Sequence, residues 1–249
     1  MTILENLNKI KDNTLPFNLN TFEKKRKKVV KCSNKNINNL TGLNGFPLKK
    51  LITIQGDYGV GKTTLCLDFI ASEHKKEGAC VFVDSEHTLN FSYANKLGLD
   101  FSPAKFIYIT PKTAEDTFEI ILDLLKSQSV SIIILDSIDS LLPKEEYKNK
   151  KFILGVDKRV NIITKYLREI KKYLNKSNTI LLVTSHNSEF RNLKSKASLI
   201  FYSDIMLELS LLQEKEKAIS IRAKVIKSIY EVSHKQTNFK IVFNKGIME

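Results

Sequence analysis

Leu51 to Phe69 reads LITIQGDYGVGKTTLCLDF, which sets three of the chain's nine glycines within six residues and follows them with a lysine and two threonines. Within it Gly56 to Thr63, GDYGVGKT, fits the pattern G-x-x-x-x-G-K-[ST]. Four fixed positions recur by chance, so the flanks decide. The apolar run LITI precedes the glycines as a strand would, and KTTLCLDFI opens like a helix. At such a junction Gly59 and Gly61 take backbone angles that other residues avoid, and successive N–H groups turn toward phosphate oxygens at the positive end of the helix. The segment is a phosphate cradle. Gly56, Asp57, Tyr58, Gly59, Val60 and Gly61 supply the loop, Lys62 reaches the β- and γ-phosphates, Thr63 ligates Mg²⁺, and Thr64 follows in the first helical turn.

Outward from this loop, short apolar runs alternate with segments of helical period: LITI at Leu51, ACVFVD at Ala79, KFIYI at Lys105, SIIILD at Ser131 and TILLVTS at Thr179. Helices are expected from Lys62 to about Lys76, around Tyr93 to Leu97, from Thr113 to Ser127 and from Asp157 to Asn175. In the last, Val160, Ile163, Leu167, Ile170 and Leu174 share a stripe, while Lys158, Lys165, Arg168, Lys171 and Lys172 lie mostly off it. This is the pattern of an α/β fold, a mostly parallel twisted sheet flanked by helices. After Ser203 the runs DIMLELS, AISIRAKVIKS and NFKIVF, separated by polar connections, extend the sheet as antiparallel strands. Residues 1–35, with EKKRKKVVK at Glu23 to Lys31, form a basic arm or small oligomerisation element, and 36–249 form the nucleotide-binding core.

A phosphate loop needs a second carboxylate for the metal, and Asp136 supplies it where SIIILD ends at the carboxyl edge of the sheet. Hydrolysis needs a group that orients water. VFVDSEH places Asp84 and Glu86 just beyond another strand end, two positions apart, and periodicity does not choose between them.

Forty Lys and Arg against twenty-seven Asp and Glu give a net charge of +13, which favours polyanions and above all nucleic acid. No apolar run approaches the length of a membrane span, and MTILENLNKIKD lacks a signal peptide's apolar core, so the expected location is the cytoplasm. Cys32, Cys66 and Cys80, odd in number and widely spaced, argue against a disulfide framework or a zinc site.

GVGKTTL, VFVDSEHTLNFSYANKLG, IIILDSIDSLLPK and KSNTILLV, in this order, followed by LIFYSDIMLEL, RAKVIKS and KQTNFKIVFNKGI, resemble the ATPase core of the RecA family of recombinases from about Asn36 to Met248. The resemblance implies roles for ATP and Mg²⁺, with Lys62 and Glu86 as catalytic residues and Glu86 polarising the attacking water. It makes Tyr93 the aromatic residue that stacks on adenine. It implies helical filaments on single-stranded DNA, ATP between neighbouring subunits, pairing with homologous duplex DNA and strand exchange. The alternative within the same likeness is a paralogue or annealing ATPase that holds DNA or a recombinase partner without exchanging strands.

Two DNA-contacting loops are implied. Pro143 to Val156 offers Lys148, Lys150 and Lys151, and Asn187 to Ala197 offers Phe190, Arg191, Lys194 and Lys196. The second loop looks short, with SKASLI where a glycine pair is usual. Ser185 and His186 stand where bacterial members have an asparagine–glutamine pair that senses the γ-phosphate, as a histidine does in some phage members, so His186 is a candidate switch. Of two lysines that bacterial members extend across the subunit boundary to the nucleotide, Lys227 matches one and Ile229 replaces the other. The separate C-terminal domain of bacterial members is expected to be absent, as in a compact phage-like or divergent form.

Overall fold

The computed structural model describes residues 28–149, 156–187, 193–232 and 234–248. A short ribbon pairs β1 (Val29–Val30) with β2 (Phe46–Pro47) around α1 (Lys35–Asn39). There follow β3 (Leu51–Gly56), α2 (Lys62–His74), β4 (Cys80–Asp84), α3 (Phe91–Lys96), β5 (Phe106–Ile109), α4 (Ala114–Ser127) and β6 (Ile132–Asp136). A 3-10 turn at Ile138–Ser140 leads to α5 (Lys144–Lys148), α6 (Val156–Leu174), β7 (Ile180–His186) and α7 (Leu193–Tyr202). The chain closes with β8 (Ile205–Lys215), β9 (Ala218–Ser228), β10 (Gln236–Val242) and β11 (Gly246–Met248).

β3 to β11 form one nine-stranded sheet in the order β11-β10-β9-β8-β3-β7-β6-β4-β5. All pairings from β8 through β3, β7, β6 and β4 to β5 are parallel, and those among β8, β9, β10 and β11 are antiparallel. The sheet is thus mostly parallel with an antiparallel C-terminal extension, as the alternating pattern implies. Its central strands open on apolar runs because both faces are covered, and their polar residues gather toward the carboxyl ends. On β4, Cys80 and Phe82 join Leu65, Phe69 and Ile70 of α2 on one side, while Val81 and Val83 meet Phe118, Ile121 and Leu125 of α4 on the other. Each such large side chain, fully withdrawn from water, stabilises the fold by roughly 1.5–3 kcal/mol.

Helix ends follow local chemistry. Asn90 caps α3 by accepting from the N–H of Tyr93, and Thr113 caps α4 by accepting from the N–H of Asp116. On α6, Leu167, Ile170 and Leu174 are buried against the sheet, while Lys165, Arg168 and Lys172 face water. Lys171 departs from the exposed set and pairs with Asp204, whose carboxylate also accepts from the N–H of Leu51 at 2.8 Å and so ties the start of β3 to α6. The described part of the basic N-terminal segment is packed on the core: Val30, Cys32 and Asn34 are buried, and the N–H of Ser33 donates to Asp68 of α2 at 2.7 Å. Cys32, Cys66 and Cys80 are free and buried. Among the described residues no helix is long and apolar enough to cross a membrane.

Candidate nucleotide site

β3 ends at Gly56, and the loop that follows turns through Gly59 (φ 76°) and Gly61 (φ 82°), both left-handed. The glycines are required for different reasons. At Gly59 an added Cβ would meet nothing within 4 Å, so the backbone angle alone selects glycine. At Gly61 the Cβ would lie 2.1 Å from Cδ1 of Ile241, and at Gly56 it would lie 2.5 Å from the carbonyl oxygen of Leu209. The loop is pressed against β8 and β10. Gly61 also opens α2 without a side-chain cap, which leaves first-turn N–H groups for an anion.

Lys62 is buried. Its ammonium donates to the carbonyl oxygens of Gly56 (2.9 Å) and Asp57 (2.7 Å) and lies 3.3 Å from Nδ1 of His186. Burial draws its pKa below the ordinary lysine value, with the carboxylates of Asp136 and Glu86 opposing. Thr63 donates from Oγ1 to Oδ2 of Asp136 at 2.6 Å, and Thr184 donates to Oδ1 of the same carboxylate at 2.5 Å. Burial pushes the Asp136 carboxyl up, and the two hydroxyls pull it down. A hydroxyl and a carboxylate in contact beneath a phosphate loop are a hard-oxygen donor set, and they fit Mg²⁺.

Hydrogen bonding distinguishes the two acids that periodicity leaves equal. Asp84 is buried, with Oδ1 accepting from the N–H of Glu86 (3.1 Å) and Oδ2 from the N–H of Leu89 (3.0 Å) and the hydroxyl of Tyr108 (3.0 Å). It brackets the turn, and burial together with this carboxylate raises the Tyr108 phenol to about 12. Glu86 is the acid turned toward Lys62's surroundings. Its side chain is 23% exposed, and its Oε1 accepts from Oγ of Ser137 at 2.5 Å and contacts Nε2 of His186 at 2.8 Å. Because the Lys62 ammonium has only protons to offer, Nδ1 of His186 is the acceptor, and the ring proton sits on Nε2 facing Glu86. The backbone N–H of His186 is held by Asp139 at 2.7 Å. The ring of Tyr58 stacks on the imidazole, centroids 4.1 Å apart and planes inclined by 25°.

Beside the loop lies an open cavity of about 330 Å³, with Gly59, Gly61 and Thr64 on one wall, Tyr93 and Asn90 on another, and Ile219, Ile241, Phe243 and Asn244 from the C-terminal strands closing it. Tyr93 donates to Oγ1 of Thr64 at 3.4 Å. Tyr93 and Ile241 both line this cavity beside the loop. Ile241 and Phe243 were not anticipated. The available signal was the run Phe239, Ile241, Phe243 at alternate positions, whose last member follows β10 and is 44% exposed.

The remaining candidates are dispersed. Lys227 does not bond to the phosphate loop of its own chain: its ammonium donates to the carbonyl oxygens of Ile200 (2.5 Å), Phe201 (3.0 Å) and Ser203 (2.6 Å) at the end of α7. Burial lowers its pKa. Lys148 is exposed at the end of α5, within the first implied DNA loop. Lys194 and Lys196 fall on α7, so the second implied loop is helical from Leu193 onward. Lys150, Lys151, Phe190 and Arg191 lie outside the described residues.

A phosphate loop at the carboxyl end of the middle strand of a nine-stranded, mostly parallel sheet, with antiparallel strands on one side, defines a RecA-like α/β core. The family model for the RecA N-terminal domain matches residues 2–248. Protein RecA of Aquifex aeolicus is 30% identical over 92% of this chain and 70% of its own length. Protein RecA of Aquifex pyrophilus is 31% identical over 83% of this chain and 63% of its own, and that of Mycoplasma mobile 33% identical over 85% and 67%. The chain belongs to the RecA family and spans about two thirds of the length of these relatives.

Proposed function

We propose that this chain is an ATP-dependent recombinase that forms filaments on single-stranded DNA, pairs it with homologous duplex and exchanges strands. The observation that carries the reading is the convergence, in a RecA-family chain, of Lys62, the Thr63–Asp136 pair and Glu86 around one loop. Thr63 and Asp136 would hold Mg²⁺, which when bound neutralises charge developing on the phosphates. Lys62 exchanges its bonds to Gly56 and Asp57 for phosphate oxygens. Glu86, with Oε1 occupied by Ser137 and His186, keeps its second oxygen for the attacking water. Tyr58, in the loop, is 75% exposed, consistent with a site that a neighbouring subunit covers.

A second reading, an accessory ATPase that holds DNA or a recombinase partner without exchange, draws on the end of β9 and the residue that follows it. Ile229 is 51% exposed where the resemblance implies a lysine, and Lys227 is engaged with α7. ATP turnover with and without single-stranded DNA, followed by joint-molecule formation with homologous and heterologous duplex, separates the two. Stimulated turnover with homology-dependent joint molecules supports the recombinase. Stimulated turnover without joint molecules selects the accessory ATPase. A monomer whose grip on DNA ignores nucleotide excludes both.

A further inference from the structure

Tyr58 lays its ring on His186 although 75% of the residue is open to solvent. Among the described residues its hydroxyl has no hydrogen-bond partner, so the ring face, not the phenol, makes the contact. The histidine beneath it is fixed at three other points: Asp139 holds its backbone N–H, Lys62 approaches Nδ1, and Glu86 receives Nε2–H. One of these is temporary. A Lys62 drawn to a phosphate leaves Nδ1 without its donor, and the imidazole then keeps only Glu86 and the Tyr58 ring to set its plane. Rotation of that plane takes Nε2–H away from Oε1 of Glu86 and frees the carboxylate to turn about Ser137.

We infer that Tyr58 is a positioning residue for ATP hydrolysis: its ring clamps the plane of His186, and through Nε2 of His186 it orients the Glu86 carboxylate toward the attacking water. The inference rests on the ATPase reading above. The Lys62 ammonium also stands 5.9 Å from the centroid of the Tyr58 ring. An effect passed through Lys62 changes nucleotide affinity, whereas one passed through His186 and Glu86 changes turnover.

The test uses Tyr58→Ala, Tyr58→Phe, His186→Ala and the double variant Tyr58→Ala/His186→Ala. Losing a stacked aromatic pair should lower kcat of Tyr58→Ala about 3- to 10-fold. The Kd for ATP should stay within about twofold of the parent value. Tyr58→Phe, which keeps the ring, should recover kcat. In the His186→Ala background, removing Tyr58 should cost nothing further. An equal loss in both backgrounds, or a weaker Kd with intact kcat, overturns the inference. A second measurement needs no turnover: NMR of the imidazole nitrogens in the nucleotide-free protein should show His186 as the Nε2–H tautomer with a ring-current shift that Tyr58→Ala abolishes. An unchanged imidazole spectrum overturns the clamp. Absent turnover in the parent protein, with the spectral change present, refutes the ATPase reading and upholds the Tyr58–His186 contact.

Discussion

Gly61→Ala combines two separable penalties. The left-handed φ of 82° strains any residue with a Cβ by about 1–2 kcal/mol. The new methyl would also stand 2.1 Å from Cδ1 of Ile241, a buried side chain that would have to shift toward the adjoining cavity to make room. Overpacking of that kind costs about 1–3 kcal/mol. The steric share has a specific remedy. Ile241→Val deletes Cδ1 and leaves Cγ1, at 3.6 Å, in ordinary contact. Alone it should destabilise by about 0.5–1.5 kcal/mol. Combined with Gly61→Ala it should raise stability above that of Gly61→Ala alone, a favourable coupling of about 1–3 kcal/mol. Gly59→Ala, with φ at 76° and nothing within 4 Å of the new atom, isolates the strain and should lose less than Gly61→Ala. Urea midpoints for the parent and these four variants measure both shares. Additive losses at positions 61 and 241, or equal losses at 59 and 61, would refute the reasoning that Ile241 seats the phosphate loop.

Glu86→Gln keeps an oxygen to accept from Ser137 and His186 but no longer takes up a proton, so ATP binding should persist while turnover falls about 100-fold; full turnover would remove the water-orienting assignment. His74 is held neutral, since Nδ1 accepts from the N–H of Asp100 (3.1 Å), which leaves Nε2–H to donate to the carbonyl of Lys105 (3.1 Å), and burial depresses its pKa below the ordinary 6.5. The unfolded chain therefore binds the proton first, and this group's contribution is complete above 6.5 and lost as pH falls below it. Urea midpoints should decline over that range in the parent and decline less in His74→Gln. Lys227→Met leaves three carbonyls at the end of α7 without their donor, a loss of about 1–3 kcal/mol. Amide exchange should rise first in α7, and uniform exchange changes across the sheet would contradict a local role.

The strands were legible because burial on both faces forces unbroken apolar runs, as in Ile132–Leu135, and the phosphate loop because Gly59 and Gly61 answer to left-handed backbone angles and Gly56 to close packing. Residues 29–34 were hidden by their neighbours: Val30 and Cys32 belong to the core, but the surrounding lysines give the segment the look of a solvated arm. The choice between Asp84 and Glu86 did carry a local signal. An aspartate whose carboxylate accepts from the N–H two residues on is an Asx turn, so the first acid was the one to expect bound to the backbone.

What no local pattern supplies is strand order, and strand order builds the site. β7 lies between β3 and β6, with β4 beyond β6. Neighbouring strands stand about 4.8 Å apart, so the end of β7 is one step from the phosphate loop and two steps from the end of β4. A residue closing β7 can therefore meet Lys62 directly, but it reaches an acid from β4 only if that acid lies past the strand end and crosses over β6. Glu86, two residues beyond β4, has that reach, and Ser137, the first residue after β6, receives it midway. The contact of His186 with both Lys62 and Glu86 is thus a consequence of the order β3-β7-β6-β4. A side chain at position 186 without two polar atoms on opposite edges would leave the lysine and the glutamate unlinked.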